Sequence, residues 1–111
     1  MVLRRSPLEL DAAEVSASIG PVLSRWPVRR AWLFGSVARG EQRAGSDVDI
    51  MVELDEGASL GFAFLTMEDE VADCLGCAAD LVTIVRSRST RAFLEEFDRD
   101  KVMVYERTGR R

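Results

Sequence analysis

Apolar residues alternate with other residues in the segment 47–54, which reads DVDIMVEL. Successive side chains of a strand point to opposite faces, so this period of two predicts a β-strand. One face is continuously apolar and is formed by Val48, Ile50, Val52 and Leu54. The other face begins with Asp47 and Asp49 and continues with Met51 and Glu53. We therefore expect a half-buried strand whose exposed face starts with two neighbouring carboxylates.

The chain before this strand shows a helical pattern followed by a short apolar run. A capping box at residues 6–9, with proline at the first helical position, predicts a helix start, and residues 11–14 offer a competing start. The Gly-Pro pair at 20–21 interrupts or kinks the pattern, and the Trp-Pro pair at 26–27 ends it. Residues 30–34 are typical of a short strand that leads into a Gly-Ser turn.

A second helical pattern follows the turn predicted at residues 55–57. Its apolar stripe consists of Leu60, Phe64, Met67, Val71 and Leu75. Phe62 and Leu65 fall outside the stripe and indicate a second apolar surface. This surface fits either an interface with a partner or with a second copy, or a helix covered on two sides within the domain.

The last part of the chain predicts a strand, a helix and another strand. Residues 81–85 are rich in β-branched residues, and residues 90–97 form a short helical pattern with Thr90 as N-cap. Residues 101–106 are typical of an edge strand. The sum is an α+β fold in which helices back a mixed sheet. Since 111 residues suffice for one modest core, we expect a single domain over 1–111.

The aspartate pair at the start of the strand predicted at 47–54 favours metal chemistry. Two carboxylates on one face repel each other unless a cation or a shared proton compensates. Magnesium prefers oxygen ligands and commonly binds one or two carboxylates together with substrate phosphates, so a nucleoside triphosphate would complete the site. A solvated Asp pair at a strand start is the alternative, because a D-x-D match alone is common.

The Gly-Ser turn at 35–36 favours phosphate binding. Gly35 permits close backbone approach, Ser36 can serve as N-cap, and free N–H groups at a helix start attract phosphate oxygens. Arg39 follows one helical turn later and could contact the same anion. The alternative for Arg39 is an ordinary surface ion pair, for example with Glu41.

These residues resemble the signature of the DNA polymerase beta type nucleotidyltransferase superfamily. The likeness rests on the pair Gly35-Ser36, ten intervening residues, and Asp47-x-Asp49. The runs LFGSVARGE and SDVDIMVEL resemble most closely its minimal members, the MNT-domain antitoxins paired with HEPN-domain toxins. The resemblance implies the minimal nucleotidyltransferase fold and a third metal-binding carboxylate on a neighbouring strand, for which Asp80 is the candidate.

The resemblance also implies a mechanism. Asp47, Asp49 and Asp80 would hold two Mg²⁺ ions, and Asp80 would act as the general base. Gly35 and Ser36 would bind the outer phosphates of ATP. The further candidates for nucleotide binding are Arg39 and Ser46, and the product would be an adenylylated hydroxyl.

Length limits what could carry that hydroxyl. The chain is too short for the extra domain with which larger relatives hold a substrate, so a partner protein is the expected acceptor, in the resemblance a HEPN-like toxin. A homo-oligomer could also build an acceptor cleft. Two alternatives remain: a transferase acting on a small hydroxylated molecule of the aminoglycoside type, and an antitoxin that neutralises its partner by binding alone.

Charge and hydropathy limit the expected partners and the expected location of the protein. The net charge is −4, with 15 basic and 19 acidic residues interspersed, so nucleic acid is not expected as the main partner. The two basic clusters are interpreted as surface arginines: Arg86, Arg88 and Arg91, and Arg107, Arg110 and Arg111. No apolar run approaches the roughly 18 residues that span a membrane, so we expect a cytoplasmic protein.

The pair Cys74 and Cys77 has the C-x-x-C spacing of redox and zinc sites. A tetrahedral zinc site needs about four ligands, and the chain has no histidine and no other cysteine. Gly76 between them is better interpreted as the glycine that ends a helix, flanked by two small buried thiols.

Overall fold

The computed structural model describes residues 7–83 and 89–107. Its regular elements run in the order helix, strand, helix, strand, helix, strand, helix, strand, after one short 3₁₀ turn at Pro7–Glu9. They are α1 (Ala12–Leu23), β1 (Val28–Phe34), α2 (Gly35–Arg39), β2 (Val48–Leu54), α3 (Ala63–Leu75), β3 (Ala79–Thr83), α4 (Arg91–Asp100) and β4 (Val102–Glu106).

The four strands form one mixed sheet in the order β3-β2-β1-β4. The central strand β1 pairs antiparallel with both β2 and β4, whereas β3 lies parallel to β2. The parallel pair is joined through α3, as parallel neighbours require a crossover. The predicted α+β class with a mixed sheet is confirmed, and β4 is the predicted edge strand. The end of the predicted strand at 81–85 lies outside the described residues.

The main core lies between one face of the sheet and the helices α1 and α3. Val48, Ile50 and Val52 of β2 are buried there together with residues of α1, α3 and β1. From α3 the buried residues are Met67, Val71 and Leu75. These are the positions that the apolar alternation of β2 and the helical stripe of α3 predict.

The opposite face of the sheet is covered by α4. Trp32, Met51 and Phe97 form a second buried cluster, in which the Trp32 and Phe97 rings meet edge to face with centroids 6.1 Å apart. Met51, which the alternation placed on the exposed face of its strand, is only 3% exposed. That expectation was wrong because α4, distant in sequence, packs over this part of the strand.

The helix ends follow ordinary capping chemistry. The Asp11 carboxylate accepts a hydrogen bond from the Glu14 N–H at 2.9 Å, so the later of the two predicted starts is the start of α1. This helix runs through Gly20 and Pro21 and ends at Leu23, without the predicted break. Thr90 caps α4 as expected, accepting from the Phe93 N–H at 3.1 Å.

The end of α3 explains the two cysteines. Gly76 adopts a positive φ of 77° directly after the helix, a conformation that costs a glycine little. Cys77 is buried and Cys74 is partly buried beside it. The interpretation of these thiols as packing groups around a helix-ending glycine is therefore consistent with the structure.

The start of α3 presents the predicted second apolar surface to solvent. Phe62 is 92% exposed and Leu65 is 58% exposed. Neither side chain is covered within the domain, which removes the alternative of a helix packed on two sides. In the part of the chain that the structure describes, no helix is both long and apolar enough to span a membrane.

Of the two basic clusters, only Arg91 and Arg107 lie within the described residues. Arg91 forms an ion pair with Glu95 at 3.3 Å. Arg107 binds Asp55 and also donates to the Val28 carbonyl at 3.3 Å. Both are therefore engaged by acceptors of the same chain.

Candidate active site

The carboxylates of Asp49 and Asp80 lie on adjacent strands at the same level of the sheet. In the parallel pairing of β2 with β3, Asp49 is directly opposite Asp80. Asp47 precedes the first residue of β2 and is exposed, as is Asp80. The structure thus places Asp49 beside Asp80, near the end of β2 that Asp47 precedes.

Electrostatics at Asp49 reflect this grouping. Burial raises the pKa of Asp49, the negative charges of Asp80 and Asp47 raise it further, and the positive charge of Arg39 opposes them. A carboxylate that is both partly desolvated and surrounded by like charges is stabilised by a cation. The site therefore has the electrostatics of a cation site, with oxygen donors of the kind that Mg²⁺ prefers.

The three carboxylates do not form a closed cage. Within residues 7–83 and 89–107, no three acidic or cysteine side chains are grouped closely enough to hold a metal ion by themselves. An ion bound here would need further oxygen ligands besides these carboxylates. Such open coordination is usual for Mg²⁺, which retains waters and binds substrate phosphates.

Gly35 lies against the acid cluster. In the antiparallel pairing of β1 with β2, Phe34 is opposite Asp49, and Gly35 follows with a positive φ of 75°. A Cβ atom at Gly35 would lie 3.1 Å from Asp49 Cγ and closer still to its Oδ2. The absence of a side chain at this position is what allows the backbone to approach the carboxylate.

The helix α2 begins at Gly35, two residues earlier than an N-cap at Ser36 would give. Phe34 occupies the N-cap position and no side chain caps the helix, so the prediction of Ser36 as N-cap was wrong. The positive φ of Gly35 turns the chain immediately after β1 and leaves Ser36 inside the first turn. Gly35 and Ser36 both line the cavity in front of the acids.

Arg39 lines the same cavity but is held by carboxylates. Its Nε lies 2.9 Å from Glu41 Oε1, and one terminal nitrogen lies 3.3 Å from Asp100 Oδ2. The ion pair with Glu41 is the alternative that the sequence left open, and the pair with Asp100 was not foreseen. The guanidinium is thereby fixed between α2 and the end of α4.

Ser46 has a structural contact within its own turn. Its hydroxyl accepts a hydrogen bond from the Arg43 N–H at 2.8 Å and closes the turn before Asp47. Neither Ser46 nor Asp47 belongs to the lining of the cavity, unlike the other five candidate residues. Those five are Gly35, Ser36, Arg39, Asp49 and Asp80.

The cavity itself has a volume of about 720 Å³ and a second wall that the sequence did not reveal. This wall is one face of α4, with Thr90, Phe93, Glu96, Phe97 and Asp100. Their spacing along the helix was the available signal, since it places two aromatic rings and two carboxylates on the same side. The sequence could not show that this side faces the acid cluster.

The sequence of this chain matches the model of a known protein family. The family model of the nucleotidyltransferase domain matches residues 19–108. The chain belongs to this family. The resemblance found in the Gly-Ser and Asp-x-Asp pattern, and the minimal nucleotidyltransferase fold that it implied, are therefore confirmed.

Two relatives of this nucleotidyltransferase carry more specific names. The candidate protein adenylyltransferase MJ0435 of Methanocaldococcus jannaschii is 41% identical over 74 residues, which are 67% of this chain and 78% of that protein. The protein adenylyltransferase MntA of Thermococcus cleftensis is 43% identical over 58 residues, covering 52% of this chain and 58% of MntA. The aligned part thus spans less than two thirds of MntA.

Three solved structures share the nucleotidyltransferase fold. A candidate minimal nucleotidyltransferase is 28% identical with a TM-score of 0.64, over 85% of this chain and 96% of that one. A toxin-antitoxin complex with AMP-PNP gives 20% identity and a TM-score of 0.67, over 84% of this chain and 74% of that one. The complex of a tri-AMPylated Shewanella oneidensis HEPN toxin with MNT antitoxin gives 16% identity and a TM-score of 0.61. The match covers 86% of this chain and 73% of that one. At the identities of the last two, the likeness is one of fold.

Proposed function

We propose that this chain is a Mg²⁺-dependent protein adenylyltransferase that transfers AMP from ATP to a hydroxyl of a HEPN-like toxin and thereby acts as its antitoxin. The observation that carries the proposal is the placement of Asp49 and Asp80 side by side, next to the glycine turn at Gly35. A cluster of carboxylates beside close-approaching backbone suits a substrate that is a metal-bound polyphosphate.

The acids would hold the metal. Asp47, Asp49 and Asp80 offer the oxygen ligands for two Mg²⁺ ions, with ATP phosphates as the remaining ligands. When bound, the ions neutralise phosphate charge and orient the reacting oxygens. Asp49, the most buried of the three, would be fixed by its position in β2 between β1 and β3.

The turn and α2 would hold the phosphates. Gly35 and Ser36 line the cavity directly beside Asp49, and the missing side chain at Gly35 leaves room for the outer phosphates. Arg39 lines the cavity one helical turn further on. Its guanidinium would exchange an exposed ion pair with Glu41 for a phosphate, an exchange that costs little because such pairs contribute little.

Asp80 would accept the proton of the acceptor hydroxyl. Its carboxylate is exposed at the mouth of the site, so an incoming side chain can reach it. The hydroxyl oxygen forms a bond to the α-phosphorus of ATP, and the bond from that phosphorus to the bridging oxygen of pyrophosphate breaks. The products are an adenylylated protein and pyrophosphate, with the proton on Asp80. Ser46 would contribute by fixing the turn that leads to Asp47.

The comparisons support a protein as the acceptor. The names of both relatives specify protein adenylyltransferase, and one of the structures with this fold is an MNT antitoxin bound to a tri-AMPylated HEPN toxin. The AMP-PNP in another toxin-antitoxin complex of this fold supports ATP as the donor. An enzyme of this kind would act in the cytoplasm, as the sequence analysis expects.

Intact-mass spectrometry tests the proposal. A HEPN-like partner is incubated with the chain, ATP and Mg²⁺, and we expect its mass to increase by one or more AMP groups. The Asp47→Ala, Asp49→Ala double variant should give no increase. A matched control is Asp69→Ala, Asp73→Ala, which removes the same charge from the exposed side of α3 and should retain transfer.

Two outcomes would contradict the proposal. If the partner is neutralised without any change of mass, and the double variant neutralises it equally well, the chain is an antitoxin that acts by binding alone. If AMP is instead transferred to an aminoglycoside and not to the partner, the acceptor is a small molecule.

A further inference from the structure

The wall of the cavity opposite the acid cluster is one face of α4. Phe93, Glu96 and Phe97 point from this helix toward the space that Asp49 and Asp80 border from the sheet. The proposed roles of the acids and of the glycine turn leave this wall without a function. At about 720 Å³, the cavity lies within the usual size range of small-molecule sites, which is roughly 300 to 1,000 Å³.

The aromatic part of the wall is a prepared platform. Phe93 stacks on Phe97 with an interplanar angle of 8°, and both rings meet Phe34 edge to face, with centroids 6.0 and 5.5 Å from it. Phe97 is fully packed at 2% exposure, whereas Phe93 is 37% exposed and borders the cavity. Phe93 therefore offers a ring that is held in place from behind and accessible from the cavity.

The polar part of the wall is an acceptor. In the described residues, no hydrogen bond or ion pair engages the Glu96 carboxylate, which is exposed and borders the cavity. The neighbouring Asp100 carboxylate is engaged by Arg39 and by Arg99, at 3.3 and 3.6 Å. A ligand that reaches this wall thus meets a carboxylate able to accept hydrogen bonds.

We propose that the α4 wall binds the base of the nucleotide, with Phe93 stacking on the ring and Glu96 accepting a hydrogen bond from the 6-amino group of adenine. This inference rests on the proposed function and adds base selection to it. Stacking on an aromatic side chain is available to every base, so Phe93 supplies affinity without selecting among bases.

Selection comes from the carboxylate. Adenine presents an amino group, a donor, where guanine presents a carbonyl oxygen in the corresponding position of the ring. With the 6-position of the ring facing Glu96, the carboxylate accepts from the adenine amine but is repelled by the guanine carbonyl oxygen. The donors of guanine, N1–H and the 2-amino group, lie further along the same edge and would meet Glu96 only if the base shifted. The same contrast separates cytosine from uracil, and the larger purine surface favours adenine over cytosine. The wall is therefore suited to ATP and unsuited to GTP and UTP.

Nucleotide binding by the full chain, measured by calorimetry with Mg²⁺ and no partner protein, tests this inference. We expect wild type to bind ATP at least about tenfold more tightly than GTP. Phe93→Leu keeps an apolar side chain against Phe34 and Phe97 but removes the stacking face, and should weaken ATP binding at least about fivefold. Thermal unfolding of the variant shows whether the aromatic cluster still packs.

The selectivity variant is Glu96→Gln, whose amide can donate to a guanine carbonyl oxygen. Its ratio of ATP to GTP affinity should fall at least about fivefold relative to wild type, mainly through tighter GTP binding. The matched control is Glu95→Gln on the next position of the helix. Glu95 is paired with Arg91 and does not line the cavity, so its ratio should remain that of wild type.

Equal affinity of wild type for ATP and GTP would overturn the inference. Unchanged ATP affinity in a folded Phe93→Leu variant would also overturn it. If that variant binds ATP normally but transfers AMP poorly, the wall binds the acceptor and not the base. If wild type binds no nucleoside triphosphate at all, the proposed function itself fails. Binding by wild type and the response of the α4 variants thus separate the two failures.

Discussion

Gly35 and Asp49 are so close that a side chain on the first would collide with the carboxylate of the second. A Cβ atom at Gly35 would lie 3.1 Å from Asp49 Cγ and 3.3 Å from its Cβ. Gly35 also has a φ of 75°, which other residues adopt at a cost of roughly 1–2 kcal/mol. The glycine is therefore required twice, by its own backbone conformation and by the position of its neighbour.

Gly35→Ala should consequently abolish transfer, because the methyl group must displace Asp49 from its place beside Asp80. The change should also lower the free energy of unfolding by about 1–2 kcal/mol. Gly40→Ala separates the two effects. Gly40 has a similar φ of 72°, but nothing lies within 4 Å of an added Cβ. Denaturant unfolding should show a loss for both variants, larger for Gly35→Ala because of the added contact with Asp49, and an adenylylation assay should show lost transfer for Gly35→Ala only.

Asp49→Asn should stabilise the protein when no divalent cation is present. The pKa of Asp49 is raised in the folded state by burial and by the charges of Asp80 and Asp47, so the ionised carboxylate opposes folding. We expect a gain of about 0.5–1 kcal/mol at neutral pH, the size of a relieved like-charge contact. Unfolding in chelator checks this value.

The pH dependence of that gain follows from the direction of the pKa shift. The penalty on the wild type is present above the folded-state pKa and disappears as both states become protonated at acid pH. The advantage of Asp49→Asn should therefore shrink as the pH is lowered. Asp69→Asn, an exposed change on α3, should stay within about 0.5 kcal/mol of wild type throughout. An advantage of Asp49→Asn that is independent of pH would contradict the electrostatic account.

The acid cluster was accessible to sequence reasoning because it depends on local geometry. Alternation over 47–54 places Asp47 and Asp49 on one face, and a parallel return strand is the simplest connection after a long helix. The family resemblance then pointed to Asp80, and the register sets it opposite Asp49.

The second wall of the cavity depends on packing between distant segments and was missed. The alternation that places Asp49 on the face of the cavity also predicts an exposed Met51, two residues later on the same face. Whether a helix covers that position depends on the packing of Phe97, which is distant in sequence. Similarly, the start of α2 depends on the positive φ of Gly35. A glycine permits this conformation but does not require it, so the sequence could not predict the start.

Phe97→Ala should destabilise the protein severely. Phe97 is 2% exposed, contacts Phe34, Trp32 and Phe93 through its ring, and is the residue by which α4 is attached to the sheet. Truncation of such a ring usually costs about 3–5 kcal/mol. Phe62→Ala is the matched control, since that ring is 92% exposed and its loss should change the free energy of unfolding by less than about 0.5 kcal/mol. Similar losses for the two variants would contradict this account of α4.

Magnesium and ATP together should raise the melting temperature of wild type but not of the Asp47→Ala, Asp49→Ala variant. A ligand that binds only the folded state stabilises it by about 2.7 kcal/mol at a hundred times its dissociation constant. For a domain of this size, that gain corresponds to roughly 10 °C or more. The Asp69→Ala, Asp73→Ala variant should respond like wild type. A full shift in the Asp47→Ala, Asp49→Ala variant would place the nucleotide elsewhere on the protein.

Arg39→Ala should weaken ATP binding while leaving stability nearly unchanged. The guanidinium lines the cavity beside Gly35 and Ser36, and it is paired with the exposed Glu41 and with Asp100, which keeps Arg99 as a second partner. Such pairs contribute at most about 1 kcal/mol, whereas charge-assisted bonds to phosphate are among the stronger hydrogen bonds of proteins. We expect ATP affinity to fall about tenfold in calorimetry. Arg99→Ala is the control, because Arg99 pairs with the same Asp100 but does not line the cavity. If both substitutions weakened binding equally, Arg39 would act through Asp100 rather than on the phosphates.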